Sequence, residues 1–227
     1  MNLNIESFSI EDLRKSTGGI YNRFFKRLID LLLASILLVI LTPLYLVLTI
    51  IQLITNGLPI FYRPPRGGYN NKTFRIFKFR TMVKNADKIG GGTTALNDPR
   101  ITRFGNFLRK TKLDETPQLI NIILGNMSFI GPRPELIKYV EQYDEVEQYV
   151  LKVRPGITDF SSIEFINLDE IVGSSDADKI YENEILKQKN KLRLKYVKEV
   201  SFKTDCTIFI ITVIKVLQKI FRVIRGK

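Results

Sequence analysis

Residues 31–54 read LLLASILLVILTPLYLVLTIIQLI, and this stretch decides what kind of fold the 227-residue chain adopts. Its 24 residues carry no charged side chain. A helix of roughly 20 apolar residues spans the hydrocarbon core of a bilayer, so the stretch predicts a membrane segment. The alternative is a buried core helix, but such helices keep a polar face. A secretory signal is excluded because the apolar run is too long and no small-residue cleavage site follows it.

The middle of this segment contains Thr42 and Pro43. Proline removes a backbone donor and disfavours helical geometry at the residue before it. Basic residues flank the segment on both sides, and such flanks favour the cytoplasm. A helix–break–helix hairpin that enters and leaves by the same face explains both observations, whereas a kinked spanning helix explains only the proline. The flanking basic residues are Arg23, Lys26 and Arg27 before the segment and Arg63, Arg66, Lys72, Arg75, Lys78 and Arg80 after it.

The composition limits the chemistry of the chain. Lys and Arg number 35 against 23 Asp and Glu, so the formal net charge is +12 and an anionic partner is expected. The chain has no histidine and one cysteine, Cys206, so it forms no internal disulfide and a conventional zinc site is excluded. Any metal ion is therefore expected to have oxygen ligands, which favours Mg²⁺ or Mn²⁺.

Four regions are expected along the chain, in a mainly helical α/β fold. They are an N-terminal extension (1–22), the re-entrant membrane hairpin (23–58), a small cytosolic catalytic domain (59–190) and C-terminal amphipathic interfacial helices (191–227). Within them the residue patterns predict a strand at 74–80 and helices at 101–112, 117–124, 137–152 and 176–200.

The C-terminal residues 206–217 are apolar except for two threonines and a lysine, and are too short to span a bilayer. They predict a helix lying in the membrane interface, with a helix packed on the core as the alternative. The basic stripe that favours the interface consists of Lys215, Lys219, Arg222 and Arg225.

Asp114 and Glu115 are adjacent in the segment KLDETPQL at residues 112–119. Pro117 suits the first position of a helix and Thr116 its cap, so the two carboxylates are expected just ahead of a helix N-terminus. Free backbone N–H groups there favour a divalent cation together with a phosphate. The simpler alternative is that both acids only stabilise the helix start.

Arginines near this pair suit phosphate recognition, because a guanidinium matches the geometry of phosphate oxygens. Arg109 is close in sequence, and Arg133 and Arg154 are held in proline-rich turns from which they are expected to converge on the pair. A carboxylate can also act as a covalent nucleophile without a histidine.

Together these segments resemble the bacterial sugar transferases, the monotopic phosphoglycosyl transferases that open glycoconjugate assembly. The resemblance runs in family order from about residue 26 to the end of the chain. The segments that carry it are KRLIDLLLASILLVILTPLYL, IFKFRTM, ITRFGNFLRKTKLDETPQLINIILGNMSFIGPRPEL, VRPGIT and YVKEVSF followed by Asp205.

The resemblance implies transfer of a sugar 1-phosphate from a UDP-sugar to undecaprenyl phosphate, with release of UMP. It implies that Asp114 is the nucleophile of a covalent intermediate, that Glu115 supports Mg²⁺ (with Mn²⁺ as an alternative) and that Arg133 binds phosphate. Lys78 and Arg80 are implied active-site cations, with a solvated strand face as the alternative.

For the membrane segment, the resemblance implies that Thr42 and Pro43 make the helix re-entrant. The enzyme is then expected at the bacterial inner membrane with its catalytic domain on the cytoplasmic face. Expected partners are the UDP-sugar, undecaprenyl phosphate and membrane lipids, with a second copy of the chain as a further candidate and no nucleic acid.

This chain departs from the family pattern at two places. Asn126 stands where many relatives have an aspartate, and DFSSIEFINLDE follows PGIT where many have Gly-Trp and a later arginine-containing element. The chosen sugar is therefore left open. Two other classes of function are also left open, namely a membrane-anchored Mg²⁺-dependent phosphohydrolase and a non-enzymatic basic membrane protein. Little aromatic interleaving argues against a platform for single-stranded nucleic acid.

Overall fold

A computed structural model describes residues 8–95, 97–173 and 176–224. The chain is mainly helical with three small two-stranded sheets, in agreement with the predicted class. The helices are α1 (Ile10–Thr17), α2 (Lys26–Asn56), α3 (Arg103–Thr111), α4 (Gln118–Ile123), α5 (Ile137–Val140), α6 (Phe160–Glu164), α7 (Leu168–Val172), α8 (Ala177–Ile180), α9 (Leu186–Glu199) and α10 (Phe202–Ile224). The strands are β1 (Phe61–Tyr62), β2 (Pro65–Arg66), β3 (Phe74–Arg75), β4 (Lys78–Phe79), β5 (Ser128–Ile130) and β6 (Gly156–Thr158).

The predicted membrane segment forms α2, which is one helical element with Pro43 inside it. Thr42 donates its hydroxyl to the carbonyl oxygen of Leu38 at 2.8 Å, a bond that together with proline tends to bend a helix. Within the described residues, the membrane segment is not divided into two separate helices at Pro43. Among those residues, the helical stretch Tyr21–Asn56 is the one that is long and apolar enough to cross a membrane, judged by length and composition.

Both ends of α2 are attached to the same folded unit. Near its beginning, Asp30 accepts a hydrogen bond from the backbone N–H of Phe129 at 3.1 Å. Near its end, the Gln52 amide donates to the carbonyl oxygen of Arg80 at 2.8 Å. The buried residues of α2 lie toward these two ends and none lies between 35 and 47. In its middle, α2 exposes apolar side chains on one face and packs its other face against two apolar clusters of the folded unit. The packed residues are Leu38, Leu41, Leu44 and Tyr45.

The predicted strand at 74–80 is wrong in its continuity, because it divides into β3 and β4. Strand β3 pairs antiparallel with β2, and β4 pairs antiparallel with β1. Between them, the backbone N–H of Phe77 donates to the side-chain oxygen of Asn121 at 2.8 Å instead of to a neighbouring strand. This side-chain contact from α4 interrupts the ladder and directs the two halves to different partners.

The predicted helix at 137–152 is also wrong in its continuity. Helix α5 ends at Val140, and a separate 3-10 turn occupies Glu147–Lys152. Asp144 and Glu147 each accept a hydrogen bond from the other's backbone N–H, at 2.8 and 3.2 Å. This reciprocal capping begins a new turn, because it satisfies donors that a continuous helix would use internally.

The remaining helices pack around a core that both ends of the chain share. Leu13 of α1 is fully buried in one apolar cluster with Leu194 and Ile208. The predicted boundaries after residues 22 and 190 fall within helical elements. The predicted helix at 206–217 is confirmed as part of α10, whose exposed apolar residues include Phe209 and Ile214. Arg225 of the predicted basic stripe lies outside the described residues, and so do the side chains of Lys219 and Arg222.

Candidate active site

The acidic pair lies in a 3-10 turn, Leu113–Glu115, between α3 and α4. Lys112 reverses the chain after α3 with a positive φ of 59°. The predicted position of the pair ahead of a helix start is confirmed. The predicted cap is wrong, because the Thr116 hydroxyl donates back to the carbonyl oxygen of Leu113 at 2.8 Å. The turn of the backbone, and no side-chain cap, sets the direction of the two carboxylates.

Glu115 is the carboxylate that is neutralised by cations. Its Oε1 accepts a hydrogen bond from Lys78 Nζ at 2.9 Å and another from Nη2 of Arg133. Burial alone raises the pKa of Glu115, but the charges of Arg133 and Lys78 outweigh burial and hold the pKa well below its usual range. Glu115 is therefore an anion that orients two cations beside the pair.

Asp114 is the carboxylate that has no such partner. Its side chain is buried, and its Oδ1 makes no hydrogen bond with the part of the chain that the structure describes. Burial and the negative charge of Glu115 raise the pKa of Asp114, and Lys78 and Lys112 offset part of that rise. An oxygen that is buried, basic and unpaired has the properties of a nucleophile or a metal ligand. The environment thus gives two adjacent acids different characters.

Arg133 reaches the pair from the turn that follows β5. Strands β5 and β6 are parallel, and Gly131 and Gly156 lie where the backbones meet. A Cβ added at Gly156 would lie 2.2 Å from the backbone nitrogen of Gly131, so this approach requires glycine. Nη1 of Arg133 donates to the carbonyl oxygen of Ile157 at 2.8 Å. Its guanidinium therefore bridges β6 and Glu115.

Lys78 is contributed by β4, on the other side of Glu115. The alternative of a solvated strand face is wrong for this lysine, because its ammonium group is largely buried and ion-paired with Glu115. Its implied contact with substrate stays a prediction. Burial lowers the pKa of Lys78, and Glu115 opposes that effect. The structure thus brings together Asp114, Glu115, Arg133 and Lys78 from three separate parts of the sequence.

Arg80 is not brought to the pair. Its guanidinium donates to the carbonyl oxygens of Asn56, Gly57 (2.8 Å) and Leu58 (3.0 Å) at the end of α2. These carbonyl groups lack helical partners, so Arg80 closes the C-terminal end of the membrane segment. Its implied contact with substrate stays a prediction.

Arg154 does not converge with Arg133 on the acidic pair, contrary to the expectation from the two turns. Its Nε donates to the carbonyl oxygen of Gly125 at 3.3 Å, and its guanidinium lies 5.2 Å from the ring centroid of Tyr69. Gly125 follows the C-terminal end of α4, whereas the acids precede the N-terminal end. Substrate binding by Arg154 stays a prediction.

Arg109 lies at the edge of the site. It donates to the hydroxyls of Thr81 at 3.1 Å and Thr94 at 3.0 Å, and its charge acts on Asp114. Thr94 belongs to the glycine-rich loop 90–94. Arg109 is therefore positioned between that loop and the acidic pair, and its contact with substrate stays a prediction.

Asp159 is a residue of this region that the sequence reasoning did not single out. It is fully buried and directly follows β6. One oxygen accepts from the backbone N–H of Ser162, and the other accepts from the backbone N–H of Arg133 at 3.4 Å. The signal for its capping role was present, because aspartate is one of the residues preferred directly before a helix. Its second role depends on the parallel pairing of β5 and β6.

The residues at the pair fit a divalent cation that is shared with a substrate. Within the described ranges, no group of three or more His, Cys, Asp or Glu side chains lies close enough to hold a metal ion alone. Mg²⁺ is commonly bound by one or two carboxylates together with substrate phosphates and water. The unpaired Oδ1 of Asp114 suits that arrangement, with Glu115 as the second carboxylate.

Comparison with known proteins shows what this chain is similar to. The family described as bacterial sugar transferase matches residues 21–219. The chain is 36% identical over 198 residues to the UDP-glucose:undecaprenyl-phosphate glucose-1-phosphate transferase of Escherichia coli strain K12, which covers 86% of this chain and 40% of that protein. It is 40% identical over 156 residues to the exopolysaccharide production protein ExoY of Sinorhizobium fredii strain NBRC 101917 / NGR234, covering 62% of this chain and 67% of ExoY.

A third relative carries a different sugar in its name. The chain is 38% identical over 143 residues to the UDP-N-acetylgalactosamine-undecaprenyl-phosphate N-acetylgalactosaminephosphotransferase of Aeromonas hydrophila, which covers 62% of this chain and 34% of that protein. The chain spans well under half the length of this protein and of the Escherichia coli relative.

Proposed function

We propose, from the premise that this chain belongs to the bacterial sugar transferase family, that the protein transfers a sugar 1-phosphate from a UDP-sugar to undecaprenyl phosphate and releases UMP. The names of the relatives support this class of donor and acceptor. The separate environments of Asp114 and Glu115 support a reaction at phosphorus that needs one free and one neutralised carboxylate.

The proposed chemistry has two steps, and Asp114 supplies the nucleophile of the first. Its carboxylate oxygen attacks the sugar-bearing phosphorus, a bond from oxygen to phosphorus forms, and the bond to the leaving UMP oxygen breaks. In the second step a phosphate oxygen of undecaprenyl phosphate attacks the same phosphorus. A lipid-linked diphosphate sugar forms, and the Asp114 carboxylate is regenerated. Atoms and charges balance without a histidine.

Arg133 and Lys78 have complementary roles in this proposal. Their positive charges lie on the Glu115 side of the pair, where they would stabilise negative charge on the phosphoryl oxygens during transfer. Bound Mg²⁺ would supply further charge neutralisation for the diphosphate, with Asp114 and Glu115 as the protein residues that hold it. Glu115 keeps both cations in place when no phosphate is present.

The proposed location is the cytoplasmic face of the bacterial inner membrane. The two anchored ends of α2 support same-side entry and exit, because both are tied to the folded unit that carries the acidic pair. The exposed face of α2 around Thr42 and Pro43 would form the apex of the hairpin in the lipid. The acidic pair would then meet the acceptor phosphate at the level of the lipid headgroups.

The single observation that carries the proposal is the buried, unpaired Oδ1 of Asp114 beside a neutralised Glu115. Detergent-purified protein would be mixed with Mg²⁺ and a panel of UDP-sugars, and its intact mass measured without lipid acceptor. We expect a mass increase of one sugar phosphate, which undecaprenyl phosphate discharges and Asp114→Asn abolishes. The donor that produces the adduct identifies the sugar.

Glu145→Gln is a matched control, because it removes one carboxylate charge at an exposed position. This variant should form the adduct at the wild-type rate. An Asp114→Asn protein that still transfers sugar phosphate would contradict the nucleophile assignment. Repeated turnover without lipid acceptor, with many UMP molecules released per enzyme and the sugar phosphate passed to water, would favour the phosphohydrolase alternative instead.

A further inference from the structure

Asp159 is a buried carboxylate that the proposed two-step reaction does not use. Its side chain is completely buried. Arg133, Lys189 and Arg193 have positive charges that interact with it. Burying a carboxylate is costly unless hydrogen bonds and opposite charges compensate, so its presence here calls for a reason beyond secondary structure.

Helix capping alone does not explain Asp159. Its Oδ1 accepts from the backbone N–H of Ser162 at 2.7 Å, which caps α6. A serine or asparagine caps a helix as well as an aspartate does, without a full charge. The hydroxyls of Ser161 and Ser162 also donate to this carboxylate, at 2.7 to 2.9 Å. These contacts fix the orientation of the carboxylate rigidly and leave Oδ2 directed at Arg133.

Arg133 is held by three contacts, and two of them come from the segment that ends in Asp159. The first is the Arg133 backbone N–H to Asp159, at 3.4 Å, and the second is Nη1 to the carbonyl oxygen of Ile157, at 2.8 Å. The third contact is with Glu115. The parallel register of β5 and β6 therefore delivers the Asp159 carboxylate to the backbone of Arg133 and the Ile157 carbonyl oxygen to its side chain.

We infer that Asp159 is a positioning residue that fixes the backbone of Arg133, so that its guanidinium stays between Glu115 and the phosphate of the donor. This inference rests on the proposed transferase function for its kinetic consequence, but not for the contact itself. The residue stands at the first position of DFSSIEFINLDE, where this chain departs from the family pattern. The segment that begins with Asp159 thus supports the phosphate site by holding Arg133 in place.

The first test uses Asp159→Asn in the full-length protein. The asparagine amide keeps one oxygen that can cap α6. Its NH2 group takes the place of the oxygen that accepts from Arg133, and the negative charge of the carboxylate is lost. The rate of sugar-phosphate adduct formation should fall roughly 10- to 100-fold, since a misplacement of about 1 Å has that effect on a positioned group. Asp159→Ser, which keeps a cap with a shorter reach, should behave alike and serves if the first variant does not fold.

Ser162→Ala is the matched control, because it removes a hydrogen bond to the same carboxylate without touching Arg133. It should form the adduct within about twofold of the wild-type rate. A double variant with Arg133→Lys separates positioning from general destabilisation. If Asp159 acts through Arg133, Asp159→Asn should have little further effect in that background. If the rate losses of the two single variants multiply in full in the double variant, the inference is overturned.

Hydrogen exchange provides a readout that needs no activity. The peptide containing residues 131–135 should exchange faster in Asp159→Asn than in the wild-type protein or in Ser162→Ala. Unchanged exchange there would overturn the inference even if activity falls. Absence of any adduct in the wild-type protein would instead count against the proposed function, and the exchange result would still decide the role of Asp159.

Discussion

At the scale of single residues, the site depends on an unequal division of charge between two neighbouring acids. Glu115 is paired with Lys78 and Arg133, whereas Asp114 is buried without a cation in hydrogen-bond contact. An enzyme that keeps a carboxylate reactive in this way gives up stability, because the ionised form is poorly solvated. Asp114 should therefore weaken the fold at neutral pH.

Asp114→Asn tests this cost. Burial and the charge of Glu115 raise the pKa of Asp114, so above that raised pKa the wild-type protein bears an unfavourable buried charge. At pH 7 the variant should melt about 2–4 °C higher, corresponding to about 1 kcal/mol. The difference should shrink as pH falls through the raised pKa, because the wild-type carboxyl then becomes neutral.

Thermal unfolding in detergent, followed by far-UV circular dichroism across a pH series, measures this difference. Glu145→Gln, at an exposed position, is expected to show no such pH-dependent gain. Equal melting temperatures for wild type and Asp114→Asn at pH 7 would mean that Asp114 is already compensated in the folded protein.

At the scale of elements, the C-terminal end of α2 and strand β4 are joined through Arg80. Its guanidinium donates hydrogen bonds to three carbonyl groups. A single ammonium group cannot donate to all three with the same geometry. This arrangement connects the membrane segment to the strand that carries Lys78. A change at Arg80 is therefore expected to act first on the helix end.

Arg80→Lys should lower stability by about 1–3 kcal/mol, because part-buried carbonyl groups lose their donors. Hydrogen exchange should also become faster at residues 53–58. Arg75→Lys is the matched control, since Arg75 donates to one backbone carbonyl group at an exposed position. Unchanged stability and exchange, with weakened binding of the UDP-sugar, would restore the role of Arg80 as a substrate contact.

At the scale of the whole molecule, one folded unit holds both ends of a 31-residue apolar helix. A straight helix of that length measures about 46 Å, which exceeds the hydrocarbon thickness of a bilayer. A crossing would carry one end away from the catalytic unit and break the contacts of Asp30 or Gln52. Both flanks should therefore lie on the same side of the membrane.

Single cysteines at exposed positions on either side of α2 test this arrangement. In a Cys206→Ser background, Lys15→Cys and Lys72→Cys should both react with a membrane-impermeant maleimide in inside-out vesicles. Neither should react in intact spheroplasts, and both should react after detergent is added. Labelling of one site from each side would establish a single crossing and contradict the hairpin.

The sequence by itself determined the elements whose signals are local. The apolar run of α2, the proline-bracketed turn of Arg133 and the turn containing Asp114 and Glu115 were all readable, because length, periodicity and turn residues act over a few positions. The motifs also identified the family, which the match over residues 21–219 confirmed.

Only the tertiary structure decided which charged groups meet. Lys78 reaches Glu115 whereas Arg80, two residues later, turns away to the end of α2, and Arg154 faces the far end of α4. Asp159 acquires its contact with Arg133 through strand pairing across 26 positions. Charge balance in a buried site depends on distance and desolvation, which residue order along the chain does not specify.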